Sequence, residues 1–161
     1  FNETYFLYFV AYSCLGLQVV IHVLLLLVTG RARRKAGSVA APEDEKFLNR
    51  SAGVADEGVN RAHRIHMNTL EAYAFFLPAV ISFLGAQVDY SSSGWSWFAA
   101  LYGSFFIALW TIARIAYVPI YALGLQPWRT ILFLLGSVSS LALGVYGIFG
   151  ALINYWPFTS A

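Results

Sequence analysis

Two arginines, two histidines, two asparagines and a glutamate crowd the stretch Asn60 to Glu71, at the mouth of an apolar run from Ala72 to Gly85. At about 100° per residue, Arg61, Arg64, Asn68 and Glu71 fall on one stripe of a helix, and His66 points away from it. Guanidinium and amide groups at a membrane surface, with a carboxylate deeper in, suit a small zwitterionic anion: cations for its carboxylates, a carboxylate for its ammonium. Eight of the ten basic residues lie between Arg31 and Arg64, which leaves Arg114 and Arg129 within apolar surroundings. Arg129 opens the last apolar run beside Thr130. The free N–H groups of a helix start already favour anions there, and an added guanidinium could hold a carboxylate or a thiolate. Tyr117 and Tyr121, one turn apart, offer hydroxyl donors from one face. Arg114 and Glu71 stand at similar depth, so a buried ion pair locking two helices is the expected state of Arg114.

Those residues need elements to position them, and composition says which. Of the 161 residues, 59% are hydrophobic and only 11% charged, with mean hydropathy +0.64. Soluble domains carry about 25% charged residues, so this composition describes an integral membrane protein. Spans are predicted over about 5–30, 61–85, 95–121 and 128–155, each near or above the ~20 residues that cross the hydrocarbon. The hydrophilic stretch 31–60 opens with Arg-Ala-Arg-Arg-Lys, which makes it the cytoplasmic loop by the positive-inside rule. The segment Ala86–Gly94 lacks any basic residue and belongs on the opposite face, with both termini. The predicted fold is all-α: a single membrane domain over 1–161, built as an up-down four-transmembrane-helix bundle.

Several functions find no support in the residues. A formal net charge of +2 is too small to point to nucleic acid. His63, His66 and Glu71 do not form a closed ligand set, and the lone Cys14 adds nothing, so no metal site is expected. Neither a dinucleotide fingerprint nor a phosphate-binding loop is present. Gln18 and His22, one turn apart in the first span, are expensive at that depth and are expected to hydrogen-bond between helices.

At these residues the sequence resembles the MAPEG family, the membrane-associated proteins in eicosanoid and glutathione metabolism, and within it the microsomal glutathione transferase and prostaglandin E synthase branches. The resemblance rests on four motifs in order: Pro42-Glu43-Asp44 in the loop; Arg61…Arg64-Ile-His66-Met-Asn68-Thr-Leu-Glu71; Arg114, Tyr117 and Tyr121; and Pro127-Trp128-Arg129. It implies a homotrimer among membrane lipids, with glutathione bound between subunits by Arg33, Arg64, Asn68, Glu71, Arg114, Tyr117 and Tyr121. It also implies catalysis by Arg129 and Thr130 at the thiolate, assisted by Asp44, on a lipophilic small-molecule substrate. A lipid-side groove lined by the first and fourth helices is expected to admit that substrate. The membrane would be a bacterial inner membrane or the endoplasmic reticulum. Three positions depart from the family pattern: Asn60 replaces a glutamate, Met67 an arginine, and Phe133 a tyrosine near the thiol. Losing that tyrosine favours a general transferase or peroxidase over a synthase-like isomerase. A lipid-binding, non-enzymatic member is the other alternative.

Overall fold

The computed structural model describes residues 3–36, 38–39, 51–52, 57–87 and 96–155. Four long helices carry nearly all of them: α1 (Glu3–Ala36), α2 (Glu57–Gln87), α3 (Ser96–Ala122) and α4 (Trp128–Tyr155). All four are long and apolar enough to cross a membrane. Ser38–Val39 (β1) and Ser51–Ala52 (β2) form a two-residue parallel pair between α1 and α2.

The first helix is apolar on every side, and Val19, Val20, Leu24, Leu27 and Val28 project outward. That pattern suits a helix whose outer side faces lipid rather than water. It continues past its apolar stretch through Arg31 to Ala36, and its last turn carries Arg33, Arg34 and Lys35, cations that complement the negative helix end. Thr29, buried, returns its hydroxyl to the Leu25 carbonyl at 2.8 Å, as a hydroxyl without other partners must do in an apolar setting.

The bundle is built around α2 and α3. Both α1 and α4 pack against each of them, so α1 and α4 lie on opposite flanks. One cluster joins the helices: Leu7 and Ala11 from α1, Phe76, Val80 and Phe83 from α2, Ala100, Ile107 and Trp110 from α3, and Leu143 from α4. At its centre Phe76 and Trp110 stack with ring centroids 3.8 Å apart. Burying two such rings supplies contact area that few other side chains match. Gly103 lets the Phe83 ring lie directly on the α3 backbone.

The turn from α3 to α4 fixes the entrance to the site. Gly124 takes φ +70°, and its N–H donates to Tyr121 O (3.1 Å) while Leu125 N–H donates to Ile120 O (3.1 Å). These two bonds are the C-terminal cap that a left-handed glycine permits. Arg61, one turn into α2, donates through Nη1 to Ala122 O at 3.1 Å and pairs with Glu57 at the start of the helix. A cation on the exposed carbonyls at the end of α3 satisfies a terminus that would otherwise lack a partner.

Candidate functional site at the basic end of the bundle

The start of α2, the end of α3 and the start of α4 meet at one end, and they enclose a chamber of about 280 Å³ lined by Glu57, Asn60, Arg61, Arg64, Tyr121, Gly124 and Arg129. Arg129 is half-buried, with its guanidinium 4.8 Å from the Tyr121 ring centre. The Gln126 amide, oriented with its oxygen toward α4, accepts from Arg129 Nε at 3.2 Å and from Nη2. The side chain is thus stacked on one face and bonded on one edge, which fixes its aim without neutralising it. Arg64 is exposed on the same chamber and, among the described residues, has no carboxylate paired with it.

A second, deeper space lies between α2 and α4. It measures about 620 Å³ and is mostly apolar, with Phe75, Pro78, Leu141, Val145 and Ile148 along its walls. Asn68, Glu71 and Arg114 stand at its polar end. Asn68 Nδ2 donates to Tyr117 Oη at 3.0 Å, joining α2 to α3. Tyr117 is only 3% exposed and lies 5.5 Å from Tyr121, ring to ring. Along α3 aromatic rings and cations therefore alternate: Arg129 reaches over from α4 onto Tyr121, Tyr121 lies beside Tyr117, and Arg114 lies over both Tyr117 and Trp110.

Arg114 corrects the sequence-based expectation. It is 1% exposed, yet no ion pair joins it to Glu71, and its Nε and Nη1 make no hydrogen bond with any described residue. Three aromatic rings hold it instead, Tyr117 at 5.4 Å and Trp110 and Phe133 at 5.5 Å. The guanidinium turns toward α4, where a Cβ on Gly136 would sit 2.9 Å from Nη2. Glu71 remains exposed on the wall of the same groove. A buried cation held by ring faces alone keeps its in-plane donors free, and a desolvated donor without a partner is costly. Nε and Nη1 are thus buried donors behind the rings, at the polar end of the groove that Arg114 lines.

The other expected residues fall less centrally. Arg33 is half-buried near the end of α1 and does not line either space. Thr130 is exposed and lies outside the chamber wall. Asp44 lies outside the described residues. Among the described residues, α1 and α4 flank opposite sides of the bundle, and the apolar groove lies between α2 and α4 instead of the expected first and fourth helices. Arg61, part of the sequence stripe, is occupied as the cap of α3. Two contributors had no sequence signal beyond their type: Gln126, which steadies Arg129, and Gly136, whose missing side chain admits Arg114. Among the described residues, no group of three or more His, Cys, Asp or Glu could hold a metal.

An uncharacterized protein of Synechocystis sp. is 31% identical over 144 residues, covering 86% of this chain and 82% of its own length. No solved structure matches the chain. The model of the MAPEG family matches residues 10–149, from the first helix nearly to the end of the last. With that match spanning all four helices and both halves of the site, the chain belongs to the MAPEG family, which includes glutathione transferases and eicosanoid synthases.

Proposed function

We propose that this protein is a glutathione-dependent membrane transferase or peroxidase, working as a homotrimer on lipophilic electrophiles or hydroperoxides that arrive from the bilayer. The observation that carries the reading is the pairing of two cationic groups with unmet demand: Arg129, aimed into the chamber, and Arg114, buried with two free donors. Glutathione has two carboxylates, an ammonium and a thiol. Arg64 and Arg114 are suited to the carboxylates, Glu71 to the ammonium, and Asn68, Tyr117 and Tyr121 to hydrogen bonds along the peptide. Arg33 would join from α1, across a subunit boundary in the trimer.

Arg129 does the chemical work in this account. A guanidinium near the sulfur lowers the cost of the thiolate, and the thiolate is the nucleophile. Thr130 and Asp44 are carried as helpers at the sulfur and in the loop. In the transferase reaction, the sulfur forms a bond to carbon as a halide or other leaving group departs with the bonding electrons. In the peroxidase reaction, two thiols are oxidised to a disulfide while the hydroperoxide is reduced to an alcohol and water. The apolar walls of the α2–α4 groove admit a range of substrates. Phe133 places a ring without a hydroxyl over Arg114, which favours these activities over a synthase-like isomerisation. The cytoplasmic face would be the basic end, by its arginines.

The test is glutathione-dependent turnover of a generic aryl halide and of a lipid hydroperoxide by detergent-purified protein. Arg129→Ala is expected to keep glutathione affinity within about tenfold, roughly 1.4 kcal/mol, while losing most turnover. Full activity in that variant would remove Arg129 from the mechanism. Absence of turnover with saturable lipid binding would favour the non-enzymatic, lipid-presenting alternative.

A further inference from the structure

The proposed glutathione site makes no use of the polar group deepest in α1. Gln18 is 0% exposed, and neither its Oε1 nor its Nε2 makes a hydrogen bond with any described residue. One turn on, His22 Nδ1 donates to the Gln18 backbone carbonyl at 2.7 Å. A carbonyl can only accept, so in the neutral ring the proton is on Nδ1 and Nε2 carries the lone pair. That Nε2 is buried and unbonded. Across the seam, His66 of α2 presents a buried, unbonded Nδ1, with the two rings 6.4 Å apart and nearly perpendicular at 76°. Tyr73, two turns further along α2, covers the other side of His22 at 5.1 Å. Among the described residues, these four polar atoms on two adjoining helices have no hydrogen-bond partner, and lipid offers none.

We propose that the α1–α2 seam is a binding site for an internal water, bridged between His22 Nε2 and His66 Nδ1 within reach of the Gln18 amide. The spacing selects the occupant. A direct N–H···N bond would bring the ring centres to about 5.1 Å. A tetrahedral metal on both nitrogens would also place them about 5.1 Å apart. A water at about 2.8 Å from each nitrogen, with a near-tetrahedral angle, gives about 6.4 Å, which is the separation found. Charge agrees with spacing. Gln18, His22, His66 and Tyr73 supply no carboxylate, and Glu71 on the same helix lines the opposite groove. Among the described residues a cation there would lack a counter-charge, whereas a neutral water with donors and acceptors on several sides is stable there. The bridge ties α1 to α2 by a directional bond where the surrounding contacts are otherwise greasy and free to slide.

The direct test is a crystal structure of the wild-type protein grown from a lipidic mesophase, at a resolution that shows ordered waters. A peak within hydrogen-bond reach of both nitrogens, with no anomalous signal at transition-metal edges, is expected. An anomalous peak, or rings that close onto each other in a direct bond with no peak between, overturns the proposal. Variants give a second readout. His22→Phe and His66→Phe each strand the remaining polar atoms and lower Tm by several degrees, while the double variant releases the water and loses clearly less than the sum. Strictly additive losses would contradict a shared bridge. Neither readout depends on glutathione binding or turnover.

Discussion

Arg114 and Arg129 are both arginines stacked on tyrosines, but their surroundings give them different tasks. Arg129 reaches the chamber from a half-buried position and is steadied by Gln126. Arg114 is buried, touches three rings and keeps two donors free. An unpaired buried charge reduces stability, and replacing such a group by an apolar one of similar size is often neutral or stabilising. Arg114→Met is therefore expected to leave Tm unchanged or raise it, while weakening glutathione binding at least about tenfold, roughly 1.4 kcal/mol. Calorimetric binding on the same preparation used for thermal melting checks both. A drop in Tm with unchanged affinity would make Arg114 a packing residue. The residue types were legible in the sequence: both arginines, both tyrosines, Asn68 and Glu71 stood out by their depth. The absence of the Glu71–Arg114 pair was not legible, because depth along two helices says nothing of which way each side chain turns.

The helices place these residues through a few close approaches. Gly136 is one: a methyl there would meet Arg114 Nη2 at 2.9 Å, so Gly136→Ala should displace the guanidinium from its rings. The expected outcome is weaker glutathione binding with α4 still folded, since alanine is the better helix former by about 1 kcal/mol. Helical content by circular dichroism and affinity by calorimetry separate the two effects. Arg61 is the other case. It caps α3 at Ala122 and pairs with Glu57, so Arg61→Ala should lower stability by about 1 kcal/mol and loosen the Gly124 turn beside the chamber. Unchanged Tm and unchanged protease sensitivity at that turn would argue against a capping role. In the sequence Arg61 looked like part of the ligand stripe. Helical phase correctly put it on the same side as Arg64, but the end of α3, which claims it first, is a tertiary neighbour that no periodicity announces.

At the scale of the whole chain, the four apolar helices were readable because membrane spans obey length and hydropathy, and those are local properties. Their arrangement was not. A bundle in which α1 and α4 flank opposite sides of α2–α3 moves the apolar groove to the α2–α4 seam, and connection lengths alone do not decide that. Arg33 on α1 touches neither space within one chain, which is the arrangement expected if a neighbouring subunit brings it to the site. The central claim is that the basic chamber and the polar end of the groove together bind glutathione as a thiolate. It is tested most directly by titrating glutathione into detergent-purified protein by calorimetry while following thiolate absorbance in the ultraviolet. Saturable binding accompanied by a thiolate signal, with Arg129→Ala keeping the binding but losing the signal, is the predicted result. No binding at concentrations up to tens of millimolar would contradict the account and leave the arginines as partners of a lipid headgroup.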